Sequence, residues 1–440
     1  MNAPPIKTGE DSNGDIKLEF SYPMPNSPAD VDISSVMRNP WSNTNSRDND
    51  GVADSVITAV ATSGTVLTVL TGTTFVASEL YRWTDFGVAG NNGVFKCTTG
   101  GATAPVFAGS GITDEAVPPA AARVKCVGFQ GASGDITATA SGLASTALDF
   151  TTIPGIAAGK WLKIDSTTAA MGFATAALND WIRITAVSAH ALTCDNLPSG
   201  WAVDAGTSKT IKVYFGDQIK NGTTLIAQSI EKGFLGQAVP TYILQPGCAV
   251  SQYTMNWTAK AKITGDVTFM GMTGASEGTV TQDASPDATT SLTAYPVMAC
   301  GPNVGRVGEA GATLAAPNFV KSFTLQLDNT ITPIEAVHTV GAAGLTAHSF
   351  KASGTLETYF GDNSLLAKFF AGTLTSLNVR TIGNSRAVIL TLPQITYNAN
   401  GSPNAGGMDQ DIMLPLGWKA SKEETVTNAM ALFDRFEFYA

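Results

Sequence analysis

The chain has 440 residues, with 26 Lys and Arg against 36 Asp and Glu, a net charge of −10. Apolar residues make up 44%, enough for a large core, which excludes wholesale disorder. Only 14% of residues are charged, where a soluble domain carries about 25%, so extensive subunit contacts are expected; the acidic balance argues against a binder that works by neutralising nucleic-acid phosphates. The opening MNAPPIKTGEDSNGD has no basic stretch followed by an apolar one, and no run approaches 18 uninterrupted apolar residues, so neither a secretory leader nor a transmembrane helix is predicted. Pro4, Pro5, Pro23, Pro25, Pro28 and Pro40 make the first ~50 residues read as an extended arm that another subunit orders. Beyond it, Thr, Val, Ser and Gly recur in short alternating runs with turn residues about every ten positions, the pattern of an all-β chain.

Between residues 61 and 205, RWTDFGVAGNNGVFKCTTGGATA (from Arg82) is similar to KWLKIDSTTAAMGFATAALNDWIRITAVSAHALT (from Lys160). Both read as a Trp-led strand, a turn-rich link and a second strand, so two small β units inserted in the main fold are expected. Lys220-Asn221-Gly222-Thr223 holds the Asn-Gly dipeptide of a type I′ turn, with strand-like flanks, and predicts a hairpin at Asn221 and Gly222. A second similarity pairs VSQYTMNW (from Val250) with VKSFTLQL (from Val320), and KITGDVTFMG (from Lys262) with KASGTLETYFG (from Lys351). The order is strand, spacer, Lys-x-[Ser/Thr]-Gly, strand, Gly in both, suggesting two related modules. Residues 273–317 are rich in Gly, Ala, Ser, Thr and Pro and read as an extended inter-subunit arm.

Further on, Phe323, Leu325 and Leu327 alternate with Ser322, Thr324, Gln326 and Asp328, as a half-buried strand requires. One short helix, 362–371, is predicted: Asp362 can cap it, Leu365, Leu366, Phe369 and Phe370 form its packing face, and Gly372 can end it. Val388, Leu390 and Leu392 form another strand face, and Leu432, Phe436 and Phe438 a third that includes Asp434. Ser421 to Glu424 fits a capping box, against the β-rich tail that follows it.

Catalytic chemistry finds little support. Gly274-Ala275-Ser276-Glu277-Gly278 matches Gly-x-Ser-x-Gly, but no helix follows to make a nucleophile elbow. Asp48-Asn49-Asp50-Gly51 resembles part of a calcium loop, but Ser46 and Ile57 stand where acids are needed. His190, His338 and His348 lack metal-ligand spacing, and no cofactor motif is present. Cys97, Cys126, Cys194, Cys248 and Cys300 are unpaired in spacing and read as free thiols of a protein assembled in a reducing cytoplasm, most simply as small buried apolar residues. No enzyme, metal or cofactor is predicted.

Several segments together resemble the tail tube (major tail) proteins of long, non-contractile-tailed bacteriophages. They are IKNGTTLIAQSIEKGF (from Ile219) through Gly271, VKSFTLQLDNTITPIEAVHTVG (from Val320), ASGTLETYFGDNSLLAKFF (from Ala352), LTLPQITY (from Leu390), AGGMDQDIMLPLGWKA (from Ala405) and the terminal FDRFEFYA. The resemblance implies a β-sandwich flanked by the helix at 362–371, with an arm and first strands at 1–60, outward-facing inserted units at 61–205, tube strands at 206–272, an inter-subunit arm at 273–317 and a C-terminal tube module at 318–440. It implies a structural protein of the virion tail, assembled in the bacterial host cytoplasm into stacked rings that conduct double-stranded DNA non-specifically. Partners would be other copies of the chain and the tape-measure, tail-tip and tail-terminator proteins, with no membrane. One module per chain gives a hexameric ring; two give a trimeric, pseudo-hexameric one. Asp266, Asp328 and Glu357 are the acids expected to face the lumen, with ordinary solvated strand positions as the simpler reading. The competing function is a surface-binding β-protein, such as a tail fibre, adhesin or carbohydrate-binding module, with Trp83, Trp161 or Trp201 stacking on sugars.

Overall fold

Alternating apolar and polar residues build two large antiparallel sheets. The computed structural model describes residues 12–49, 57–61, 66–69, 74–109, 111–272, 274, 276–282, 296–337 and 339–439. In the first sheet, six strands run side by side in the order Ser12–Glu19, Thr264–Gly271, Thr241–Thr258, Val320–Asp328, Lys351–Tyr359, Ile412–Ala420. The long strand Arg386–Ala399 then carries the sheet into a second layer. Its far end pairs with Ile412–Ala420, while its first half lies between Leu432–Phe436 and Thr375–Gly383. Asp217–Lys220 and Val304–Glu309 extend that layer. The folded-over sheet closes on one core, where Tyr253, Met255, Trp257, Phe323, Leu325, Leu327 and Trp418 meet Leu377, Val379, Val388, Leu390 and Phe433. The rings of Phe323 and Trp418 stack at 5.6 Å.

The alternation at Phe323, Leu325 and Leu327 places all three in that core, as expected. Strand Arg386–Ala399 departs from simple alternation, with every residue from 387 to 392 buried. Val388, Leu390 and Leu392 face the sandwich core, but Ala387 and Ile389 enter a second core. That second core belongs to the other sheet, whose strands run from Ser46–Asp48 and Ile57–Ala61 to Lys212–Tyr214.

This second sheet contains two similar β hairpins. Trp83 and Trp161 are each 1% exposed and lie in the first strands of these hairpins, Glu79–Thr84 and Trp161–Ile164. In both, a 3₁₀ turn follows, and an Asn side chain clasps the backbone of a Phe six residues earlier. Asn92 Oδ1 accepts from Phe86 N–H at 3.0 Å while its Nδ2 donates to Phe86 O at 2.9 Å. Asn179 makes the same pair with Phe173, at 2.7 and 2.9 Å. Two backbone groups that would otherwise lack partners are satisfied by one amide, which explains the shared turn.

Part of the N-terminal segment, the helix, differs from expectation. Ser12–Glu19 is a paired strand, and Pro28–Met37 is a helix rather than part of an extended arm. Ser27 caps it by accepting from Asp30 N–H at 3.3 Å, Pro28 occupies the first turn, and Ile33, Val36 and Met37 are fully buried. The later helix is Ser364–Ala371. Asp362 lies just outside it yet accepts from the Ser364 N–H at 2.8 Å, and Gly372 ends it at φ 61°. Leu365, Leu366 and Phe369 pack on the core, but Phe370 is 76% exposed and is not part of the packing face. Residues 421–427 form a turn instead of a capped helix: the Glu423 carboxylate accepts the N–H groups of Thr425, Val426 and Thr427 and so organises a loop.

No hairpin forms at Asn221-Gly222. Asp217–Lys220 pairs with Leu432–Phe436, and Ala227–Phe234 pairs with Thr241–Thr258. Neither residue takes a left-handed backbone. Asn221 Oδ1 instead accepts from Met430 N–H at 2.7 Å, and Gly222 N–H donates to Met37 O at 2.8 Å, so tertiary partners replace the turn. Within 273–317, Ser276–Gly278 pairs with strand Thr241–Thr258 and Val304–Glu309 belongs to the sandwich; residues 283–295 lie outside the described set.

The repeated strands are neighbours. Met255 and Leu325, equivalent in sequence, sit directly opposite each other in an antiparallel pair, and Gly265 is opposite Met255. Phe323 opposite Leu356 and Gln326 opposite Ser353 bring Gly354 to the same place beside Leu325. The repeat is therefore related by a local twofold axis through the Met255–Leu325 pair. Both motif glycines are required there, since a Cβ at Gly265 would meet Thr254 O at 2.1 Å and one at Gly354 would meet Thr324 O at 2.0 Å.

The two layers and the second sheet meet at one buried ionic cluster. Asp217 accepts from Lys125 Nζ at 2.6 Å, Arg435 Nε at 2.8 Å and Thr44 N–H at 2.8 Å. Arg435 also donates to Asp30, to Pro23 O at 3.1 Å and to Asn43 Oδ1 at 2.9 Å, and lies 4.2 Å over the Trp41 ring. Glu437 binds Arg123 at 3.0 Å. Burial alone would raise the Asp217 pKa, but Lys125 and Arg435 outweigh it and hold the carboxyl well below its usual range. Nearby Asp434 has no such cation in contact. Burial pushes its pKa up to about 7, and Gln218 Nε2 donates to it at 3.0 Å.

Gly265→Ala and Gly354→Ala should each lower stability by about 1–3 kcal/mol, and by similar amounts, in urea denaturation. Asp217→Asn, which leaves two buried cations short of a counter-charge, should cost about 3–5 kcal/mol at pH 7. The depressed Asp217 pKa gives stability that is present above the ordinary carboxylate range and lost on acidification; the raised Asp434 pKa gives stability lost as pH climbs through about 7. Asp434→Asn should therefore remove the fall in stability between about pH 4 and 7 and leave in place the Asp217-dependent loss at lower pH.

Candidate functional site

Side chains that do not enter the core line the other face of the six-strand layer. The pairing register sets them in rows. One row crosses all six strands: Lys17, Asp266, Thr254, Gln326, Ser353, Lys419. A second runs Asp15, Thr268, Gln252, Asp328, Lys351, and a third begins Glu19, Thr264, Asn256, Thr324. Glu357 sits opposite Ser322 on the same face. The centre is thus hydroxyl and amide, with Thr324 and Thr355 hydroxyls 2.8 Å apart, and the charges gather toward the margins. Thr254, Asn256, Thr324, Gln326, Ser353 and Thr355 line a shallow groove in it.

Asp266, Asp328 and Glu357 are therefore brought onto one face by strand register alone. With Asp15 and Glu19 they are balanced by Lys17, Lys351 and Lys419 together with Lys262 and Lys321, which pair with Glu19 and Glu357. Their contacts are loose: Lys17 to Asp266 is 3.9 Å and Lys321 to Glu357 is 3.5 Å, all four half-exposed or more except Glu357. Asp328 also accepts from Thr330 N–H at 2.7 Å, closing the turn after its strand.

The catalytic motifs dissolve in the fold. Ser276 lies in a short strand, with its hydroxyl 2.8 Å from Gln282 Oε1, not at a strand–helix elbow. Asn49 donates to Pro118 O at 2.8 Å; Asp50 and Gly51 lie outside the described residues, as do Ala275 and His338. His190 is 2.9 Å from Leu148 O and His348 is 2.9 Å from Thr332 Oγ1. Among the described residues no three His, Cys, Asp or Glu side chains could hold a metal, and no helix is long and apolar enough to cross a membrane. The five cysteines are free, and burial raises the thiol pKa of Cys97 and Cys194 to about 12. Trp83 and Trp161 are enclosed, Trp161 Nε1 donating to Thr391 at 2.8 Å, and Trp201 Nε1 donates to Thr139 O at 2.8 Å. None of the three offers an open ring to a sugar.

The buried Lys125–Asp217–Arg435 cluster was not anticipated. A signal exists in the sequence: charged residues inside apolar strand runs, Asp217 in VYFGDQI and Arg435 in LFDRFEF, are tolerated in a core only as partners.

Because Asp266 and Glu357 pair only loosely with partly exposed lysines, Asp266→Ala and Glu357→Ala should each shift folding stability by less than about 1 kcal/mol in urea titrations. A larger loss would mean that the face supports the fold.

A wide polar face on the outside of a sandwich core, with no cavity chemistry behind it, is a surface built to face something along its length. The sequence model of the family described as phage tail tube protein matches residues 1–420. No curated protein matches the chain. The chain belongs to the phage tail tube protein family, structural components of the virion tail.

Proposed function

We propose that six copies of this chain close into a ring, that rings stack into the tail tube, and that the polar face lines the channel through which DNA passes. The observation that carries this reading is the face itself. It is broad, rich in hydroxyls and amides, close to neutral, and ends at strand Ser12–Glu19, which has no strand on its outer side among the described residues. An open edge of this kind pairs readily with another chain, and ring closure removes it. Most residues of that strand are exposed although it is paired on one side, as expected for a strand whose second neighbour is another copy.

The local twofold axis supports one module per chain. A ring axis runs along the channel and carries each module onto the next with its strands pointing the same way. Equivalent strands 250–257 and 320–327 are adjacent and antiparallel, so their repeat is not the repeat of a ring. They serve as two halves of one wall segment, which favours the hexamer over a trimer of double modules.

DNA presents about one negative charge per 1.7 Å of axis. A basic wall would hold it through released counterions, whereas a near-neutral and hydrated wall lets it slide. Screening over about 8 Å leaves wall charges effective in a narrow bore. In this arrangement Asp266, Asp328 and Glu357 face the lumen and the second sheet, which packs on the opposite layer, faces outward. The role is non-enzymatic, assembly takes place in the host cytoplasm, and the tape-measure, tail-tip and terminator proteins of the tail are the partners.

Electron microscopy of the purified protein should show sixfold rings or tubes with a mass per ring of six chains; three chains per ring would overturn the one-module reading. Tails carrying Asp266→Lys with Glu357→Lys should assemble normally and eject DNA more slowly, with the defect shrinking as salt rises. Ejection at the wild-type rate at low salt would reject the lumen assignment.

A further inference from the structure

Four Asn-Gly dipeptides occur in the chain: Asn13-Gly14, Asn92-Gly93, Asn221-Gly222 and Asn400-Gly401. The pair is chemically labile. Glycine has no Cβ to crowd its backbone nitrogen, so that nitrogen can close on the side-chain carbonyl carbon of the preceding Asn. In sequence the four are equivalent; in the fold they are not.

Closure needs a free amide, a free Gly N–H and a backbone able to turn. The Asn92 amide is clasped at both ends by the Phe86 backbone, and Gly93 sits in a ladder opposite Trp83. Asn221 Oδ1 accepts from Met430 N–H at 2.7 Å and Ala431 N–H at 3.2 Å, and the nitrogen that would attack it, Gly222 N–H, donates to Met37 O at 2.8 Å. Asn13 and Gly14 are held in a strand opposite Met270 and Phe269. Asn400 differs on every count. It is exposed, follows the end of strand Arg386–Ala399, and has a left-handed backbone at φ 58°. Among the described residues neither its side-chain amide nor the Gly401 N–H has a hydrogen-bond partner.

Packing keeps the labile pair in place. A Cβ at position 401 would lie 2.3 Å from the ring of Phe369 in helix Ser364–Ala371, so any larger residue would displace that ring. At position 400, Asn is one of the few residues besides glycine that takes a left-handed backbone readily. The surroundings give the site a consequence. Asn400 lines the shallow groove of the polar face together with Lys419, Thr254 and Thr324. Acids and lysines of that face are balanced, so one added carboxylate in each copy tips it negative.

We infer that Asn400-Gly401 is a self-modifying site that turns its own amide into a carboxylate and makes the channel wall more acidic as the protein ages. The Gly401 backbone nitrogen loses its proton to hydroxide and bonds to Asn400 Cγ. A succinimide ring closes, and Nδ2 takes a proton from water and leaves as ammonia, which returns the hydroxide. Water then opens the ring. Cleavage of the Cγ–N bond leaves aspartate; cleavage of the main-chain carbonyl–N bond leaves isoaspartate, with the chain routed through the side chain. Either product carries a negative charge where a neutral amide stood. The chemistry stands on the fold alone, whereas its effect on DNA rests on the lumen reading.

The test incubates full-length native protein in heavy-oxygen water at mildly alkaline pH and maps its peptides by mass spectrometry. The peptide holding Asn400 should take up heavy oxygen and show the mass of an acid, with release of ammonia, and more slowly as pH falls. Peptides holding Asn13, Asn92 and Asn221 should remain amides, and in urea all four should convert. A native peptide that keeps the Asn400 amide, or one in which Asn92 and Asn221 convert as fast, overturns the inference. Asn400→Gln, whose longer side chain closes a ring far more slowly, should abolish the uptake and keep the wild-type unfolding temperature. Tails carrying Asn400→Asp should eject DNA faster at low salt than tails carrying Asn400→Gln, with the difference shrinking as salt rises. Equal rates overturn the effect on DNA. If Asp266→Lys with Glu357→Lys still slows ejection, the lumen reading survives that result; if neither pair of tails differs, the lumen reading fails with it.

Discussion

Arg435 is the point on which the architecture turns. Its guanidinium uses Nε on Asp217, Nη1 on Asp30 and a backbone carbonyl, and Nη2 on Asn43, while its face covers Trp41. Those partners come from a helix, a connecting segment and a neighbouring strand, and through Asp217 the contact reaches Lys125 in the second sheet. A buried cation is tolerable only with all of these in place. The cluster thus supplies little net attraction but strong selectivity, because any arrangement that moves one element strands a charge.

Strand Arg386–Ala399 shows the same dependence in apolar form. It is buried on both faces for six residues, one face in each core, so the sandwich and the second sheet share a wall. The inserted β units are consequently built into the protein instead of being tethered to it. Their own internal resemblance, down to the Asn92 and Asn179 clasps, is consistent with one unit copied and laid beside itself.

Much of this was legible in the residues. Strand faces at Phe323, Leu325 and Leu327, the helix ending at Gly372, and both internal similarities depend on local periodicity, which sequence displays directly. Failures cluster where a tertiary partner outbids a local preference. Asn221-Gly222 has the right dipeptide for a tight turn, but the adjoining strand pairs with Leu432–Phe436 and the Asn amide oxygen is taken by Met430. Phe370 has helical spacing with its neighbours yet falls past the edge of the buried stripe. The helix Pro28–Met37 was hidden by proline content, although Ser27-Pro28-Ala29-Asp30 carries the cap, the first-turn proline and the first-turn acid that start a helix. The three acids lie on one polar face, but which residues stand beside them depends on register, which sequence does not display.

The common wall strand has a mechanical meaning. A pull or shear on the second sheet is not absorbed by a flexible joint at residues 387–392, where one strand serves both cores. The load passes straight into the hydrogen-bonded ladder of the sandwich, so the two sheets would stretch, bend and fail together.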